Sequence, residues 1–222
     1  MKHLAKGLHK FQEEVFRDRH ELFERLSHGQ RPDTLFITCS DSRIDPNLLT
    51  QTSPGDLFIL RNAGNLIPAH NKFLGAEAAT IEYAVSALKV QDIIVCGHTQ
   101  CGAMRALVGF DSVDSLPAMK NWLSHAEQTG KILQKNYSQF AGPDLLLAAV
   151  KENVLVQLES LRSHPAVDDA LKSGALRLHG WVYEIETGHV AGFDPETESF
   201  TYITEGNARE AGSRLRREGP GV

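Results

Sequence analysis

The chain has 222 residues, of which 41% are hydrophobic and 23% charged, enough to bury one substantial core with a single domain as the default. A net charge of −5 and a pI near 6.1 leave no basic footprint for nucleic acid, and no apolar run approaches the roughly 20 residues of a membrane span. The first residues lack the apolar core of a secretion signal and carry the acidic residues that transit peptides avoid, and three cysteines make no disulfide framework, so a reducing cytoplasm is expected.

Leu4, Leu8, Phe11, Val15, Leu22 and Leu26 recur at helical spacing and predict an amphipathic helix over the first thirty residues, stopped at Gly29. Residues 34–39 form a short β-branched run, hence a buried strand. Asp45-Pro46 opens a short helix with Asp as N-cap. Residues 56–60 predict a second strand, 76–88 an Ala-rich helix, 92–97 a third strand, and 101–108 the start of another helix. Two longer helical stretches follow near 116–133 and 144–161. Residues 176–183 and 189–193 then read as a hairpin around Thr187-Gly188. Strands alternating with helices predict an α/β fold, a mainly parallel central sheet flanked by helices.

That order carries a functional expectation. Cys39 ends the first strand and His98 follows the third, and α/β sheets build their sites outside the carboxyl ends of strands, where the strand order reverses. Cys101 lies three residues beyond His98, so two thiolates and an imidazole converge. Such a set on Zn²⁺ leaves a fourth position open, the mark of a catalytic site. Asp41 and Arg43 flank the first ligand, and Arg61 ends the second strand at the same edge, where it lines or braces the pocket. Cys96 sits inside its strand and belongs to the core. Most of the ten histidines need no function; His179 lies in a strand and packs or hydrogen-bonds.

Cys39-Ser-Asp-Ser-Arg43 followed by His98-x-x-Cys101 resembles the β-class carbonic anhydrases. The similarity extends through Gln30, Pro54-Gly55-Asp56, Phe58, Arg61-Asn62-Ala63-Gly64-Asn65, Ile81-Glu82-Tyr83-Ala84-Val85 and Gly180-Trp181, roughly residues 1–195, and is strongest to bacterial members, including cyanobacterial carboxysomal ones. It implies a carbonate dehydratase, a zinc lyase that reversibly hydrates CO₂ to bicarbonate and a proton by attack of zinc-bound hydroxide. One Zn²⁺ per chain would sit on Cys39, His98 and Cys101, with Asp41 and Arg43 as catalytic dyad. Gln30, Phe58, Ala63, Tyr83 and Gly102 would contact the substrate. Phe36 stands where members inhibited by bicarbonate have Trp, which with Gln30 implies an open metal site.

The family also implies a homodimer or higher homo-oligomer, assembled partly through a helical arm at residues 1–28 of a single domain ending near 204, with a flexible Arg-rich tail at 205–222. Carboxysomal relatives continue into a longer extension, so the expected setting is the cytoplasm, with docking on a carboxysome scaffold as the alternative. Two rival readings stay open: hydrolysis of carbonyl sulfide or carbon disulfide at the same zinc site, and a non-catalytic zinc domain.

Overall fold

The computed structural model describes residues 1–72 and 74–206, and the chain divides after Arg31 into two compact units. In the first, α1 (Lys2–Lys10) continues as a wider π-type turn over Phe11–Phe16, and α2 spans His20–Ser27. The single continuous helix expected over this segment is broken at Arg19, whose backbone leaves helical geometry at φ −113°, ψ 26°. The break has a packing reason. Phe16 and Phe23 stack with ring centroids 5.0 Å apart, and Phe11 meets Phe23 edge-on at 5.6 Å; residues seven apart in an unbroken helix stand about 10 Å apart along its axis. Leu4, Leu8, Phe11, Val15 and Phe16 remain exposed.

The second unit is built on a six-stranded sheet. Its strands are β1 (Thr34–Cys39), β2 (Leu57–Asn62), β3 (Asp92–His98), β4 (Arg177–Tyr183), β5 (Val190–Asp194) and β6 (Ser199–Tyr202), in spatial order β2-β1-β3-β4-β5-β6. The first four are parallel, and β4-β5-β6 form antiparallel hairpins. The expected α/β architecture is therefore observed, with two additions. The strand β6 and the helix α9 (Pro165–Lys172) escape the sequence patterns.

The remaining helices are α3 (Pro46–Thr50), α4 (Ala76–Glu82, continued as a π-type turn to Leu88), α5 (Gly102–Leu107), α6 (Pro117–Trp122), α7 (Glu127–Asn136) and α8 (Gly142–Arg162). Asp45 caps α3, its carboxylate accepting from the Leu48 amide at 3.0 Å. The stretch expected as one helix near 116–133 is split between α6 and α7 by a tighter turn at Leu123–Ala126, where His125 packs edge-on against Trp122.

Strand residues alternate between two hydrophobic layers. Leu35, Ile37, Ile93, Val95, Leu178 and Val182 join the helices in the larger core, while Phe36, Ile44, Ile94 and Cys96 form a smaller cluster against Trp181. Helix α8 presses on β3 so closely that a Cβ on Gly97 would lie 2.9 Å from Val154. Among the described residues no helix is long and apolar enough to cross a membrane. Most of the Arg-rich tail, residues 207–222, lies outside the described residues.

Candidate metal centre

The strand order reverses between β1 and β3: from β1 the chain crosses to β2 on one side, then returns to β3 on the other. Cys39 is the last residue of β1 and His98 the last of β3, so both stand at that crevice. A short turn after β3 brings in Cys101, the N-cap residue of α5. The ligand atoms of Cys39, His98 and Cys101 all lie within 4.8 Å of one another, and all three residues are buried. No fourth histidine, cysteine or carboxylate joins them among the described residues.

The donor chemistry fits a metal. The two Sγ atoms are 4.0 Å apart, close to the roughly 3.8 Å that two zinc–sulfur bonds of about 2.3 Å subtend at a tetrahedral angle. The Nδ1 of His98 lies 2.8 Å from the Thr99 carbonyl. That contact requires the proton on Nδ1 and leaves the Nε2 lone pair for coordination. Nε2 is itself buried without a hydrogen-bond partner among the described residues, a polar atom that a cation would satisfy. The Cys101 thiol lowers the pKa of Cys39 against the opposing effect of burial, with help from His98 and the Gly64 amide. Cys101 is pushed upward in turn by the neighbouring sulfur and by burial. Cys39 and Cys101 would both be held as thiolates on binding a cation, which would remove this competition.

Beside the trio, Asp41 Oδ2 stands 3.8 Å from His98 Nε2. Arg43 donates from Nε to Oδ1 at 2.9 Å and from Nη2 to Oδ2 at 2.7 Å, and its backbone amide adds a third bond to Oδ1 at 3.0 Å. These bonds hold the carboxyl well below the usual carboxylate range. Arg43 Nη2 is anchored in turn on the Gln100 carbonyl at 3.0 Å. Arg61 braces the same loop from β2, donating to the carbonyls of Cys39, Asp41 and Ile44 at 3.1, 2.7 and 3.0 Å.

The other candidates fall in different places. Ala63 and Gly64 follow β2, and the Gly64 amide donates to Cys39 Sγ at 3.3 Å. Gly102 is the first residue of α5, and a Cβ there would meet nothing within 4 Å. Phe58 pairs in register with Leu35, four residues before Cys39, so its backbone lies about 13 Å back from the ligand edge. Its ring is 6.0 Å from that of half-exposed Tyr83. The chain thus pairs the Phe58 and Tyr83 rings with each other, and the Phe58 backbone stands back from the trio. Gln30 belongs to the first unit, Met1–Arg31.

Cys96 is fully buried, and burial raises its thiol to about 12, the behaviour of a core residue. His179 bonds Asp92 at 2.7 Å. His164, buried at the start of α9, contacts the Pro68 carbonyl at 3.1 Å. Sequence patterns missed Thr99, which fixes the His98 ring and is itself tied to Glu186 at 2.6 Å across the β4–β5 turn. Its position directly after the ligand histidine was the available signal.

A family profile described as carbonic anhydrase matches residues 34–190. A carbonic anhydrase of Synechocystis sp. is 49% identical over 201 residues, covering 90% of this chain and 73% of its own. Carbonic anhydrase 1 of Escherichia coli O157:H7 is 44% identical over 217 residues, covering 98% of each. The solved structure of the β-carbonic anhydrase CcaA superposes with a TM-score of 0.89 at 48% identity, over 91% of this chain and 99% of that one. With the switch-point trio in place and these similarities spanning most of its length, the chain belongs to the carbonic anhydrase family, as a bacterial-type member of its β class.

Proposed function

We propose that this carbonate dehydratase holds one Zn²⁺ on Cys39, His98 and Cys101 and uses it to interconvert CO₂ and bicarbonate, with Asp41 and Arg43 as the catalytic dyad. The observation that carries the proposal is the buried Nε2 of His98, without a hydrogen-bond partner among the described residues, beside two sulfurs 4.0 Å apart. Zinc, when bound, lowers the pKa of a coordinated water from about 15.7 toward 7 and so supplies a nucleophile. Cys39 and Cys101 as thiolates cancel the formal charge of the ion and temper that effect, so activity rises toward alkaline pH.

Asp41 is ionised across the neutral range and accepts hydrogen bonds only, so it would accept a hydrogen bond from the nucleophile and turn the nucleophile's lone pair toward the carbon of CO₂. Arg43 keeps both carboxylate oxygens occupied and holds Asp41 in that role, not as a fourth metal ligand. Ala63 and Gly102, adjacent in sequence to groups that touch the trio, are the nearest candidates to line the substrate pocket.

The exposed apolar residues of α1 and the following turn support a helical arm at residues 1–28 that joins copies into a homodimer or larger assembly. The proposed setting is the cytoplasm, with the carboxysome as the alternative. The test is zinc stoichiometry measured together with stopped-flow CO₂ hydration from pH 6 to 9. One zinc per chain and hydration rising with pH are expected. Metal-replete protein without hydration at any pH would overturn the reading in favour of a non-catalytic zinc domain.

A further inference from the structure

A run of hydrogen bonds through the loop after β2 ends on the sulfur of Cys39, and we propose that Trp122 and Asn153 are positioning residues for that ligand, acting through the backbone of Ala63, Gly64 and Asn65. The inference rests on the metal centre proposed above.

The Trp122 indole donates from Nε1 to the Ala63 carbonyl at 2.8 Å. The same peptide unit supplies the Gly64 amide that donates to Cys39 Sγ at 3.3 Å. No described peptide bond is cis, so the carbonyl and amide of that unit point in opposite directions. A grip on one end therefore aims the other. The next peptide unit is held as well, because the Gly64 carbonyl accepts from Asn153 Nδ2 at 3.0 Å. Both units flanking Gly64 are thus fixed, one from α6 and one from α8.

Asn153 is itself locked. Its Oδ1 accepts from Gln157 Nε2 at 3.0 Å and from Thr129 Oγ1 at 3.4 Å, while Gln157 Oε1 accepts the Ile67 amide at 2.7 Å. All three side chains are essentially without solvent contact. Burying two amides and a hydroxyl in a helix layer is costly unless each is satisfied, and here satisfaction comes from one another and from the loop. Gly64 completes the fit. Its φ of +82° is a region that suits glycine, and a Cβ there would stand 2.7 Å from that of Ala103. The loop is therefore drawn against α5, with its amide on the ligand sulfur.

An amide that donates to a ligand thiolate draws charge from the sulfur and fixes the direction of its remaining lone pairs. Hydrogen bonds arranged in series polarise one another, so the indole also strengthens the amide as a donor. Groups bonded directly to a metal ligand typically change metal affinity by about 10–100-fold when removed, and Trp122 and Asn153, one bond further out, are expected at the lower end.

The test uses the full-length protein and its Co²⁺-substituted form. Trp122→Phe keeps an aromatic ring and removes the N–H; Asn153→Asp keeps the shape and removes the donor to Gly64. Each is expected to weaken zinc binding about tenfold, read by competition with a chromophoric chelator. In the cobalt form the sulfur-to-metal charge-transfer band should move to lower energy, because a sulfur that loses a donor gives up its electrons more easily. Val167→Ala, buried in α9, supplies a destabilised control that should keep the wild-type band and affinity. If Asn153→Asp does not fold, Trp122→Phe decides alone.

A wild-type band and affinity in Trp122→Phe, or an equal shift in Val167→Ala, would overturn this inference while leaving the metal centre intact. Wild-type protein that takes up neither Zn²⁺ nor Co²⁺ would overturn the metal centre itself, and this inference with it.

Discussion

Arg43 grips Asp41 at both carboxylate oxygens, at 2.9 and 2.7 Å, while the Oδ2 of that carboxylate stands only 3.8 Å from His98 Nε2. A carboxylate this near a metal centre has two competing roles, fourth ligand or acceptor for the nucleophile's hydrogen. Two parallel charge-assisted bonds fix orientation as well as charge. They favour the second role, and the backbone amide of Arg43 adds a bond that does not depend on side-chain rotamers.

Asp41→Asn tests that assignment. An amide cannot accept both guanidinium bonds, and its NH₂ can donate to the nucleophile and misdirect it. Zinc content should be unchanged, because the trio is intact, while CO₂ hydration falls about 10²-fold, the lower end for acid–base groups. Near-normal turnover in a folded, zinc-loaded variant would remove Asp41 from the mechanism.

The three cysteines should separate cleanly. Cys39→Ser and Cys101→Ser each replace a thiolate with a poor zinc ligand and should lose both metal and activity. Cys96→Ser instead buries a hydroxyl among Phe36, Ile44 and Ile94, costing about 1–3 kcal/mol of stability while keeping zinc. Metal analysis and thermal melts on the three variants distinguish the cases, and full zinc retention in Cys39→Ser would contradict the ligand set.

What the sequence revealed and what it hid have physical reasons. Strands β1 and β3 are buried on both faces and so read as unbroken apolar, β-branched runs. Their ends marked where Cys39 and His98 would meet. The edge strand β6 has four residues and none is fully buried, which leaves no alternation to detect. Only Val167 of α9 is buried, although Pro165 at the first helical position was a start signal. The clamp on Gly64 was invisible because Trp122 lies 59 residues and Asn153 89 residues from their partners. No periodicity records a side chain that reaches a distant carbonyl. Arg61 was expected to line or brace the pocket, and its three bonds to loop carbonyls show bracing.

The N-terminal unit offers a test of assembly. Leu4 and Leu8 are 55% and 67% exposed, and Phe11, Val15 and Phe16 continue the apolar surface. The proposed helical arm would bury that surface against another copy. Removing residues 1–26 should lower the solution mass of the assembly, measured by light scattering or analytical ultracentrifugation. An unchanged number of subunits per particle would show that the arm does not join copies.

A second charge cluster stands at the amino-terminal end of the parallel strands, away from the metal centre, and bears on acid stability. Asp92 begins β3 and accepts from Arg177 Nε and Nη2 at 2.8 and 2.6 Å, and it bonds His179 Nε2 at 2.7 Å. Burial opposes its ionisation, but His179 and Arg177 outweigh that cost and hold the carboxyl below its ordinary value. A depressed folded-state pKa stabilises the protein fully above the unfolded value of about 3.9, and the benefit is lost as pH falls through the folded value. Asp92→Asn should therefore cost about 1–2 kcal/mol at neutral pH, discounted because the Arg177 side chain is half exposed. The gap between variant and wild type should narrow on acidification below about pH 4. Zinc content should stay unchanged, since Asp92 lies six residues, about 20 Å, along β3 from His98. Urea melts of both proteins across this range provide the measurement, and a gap that stays constant from neutral pH down to about pH 3 would show that ionisation of Asp92 contributes nothing to folding.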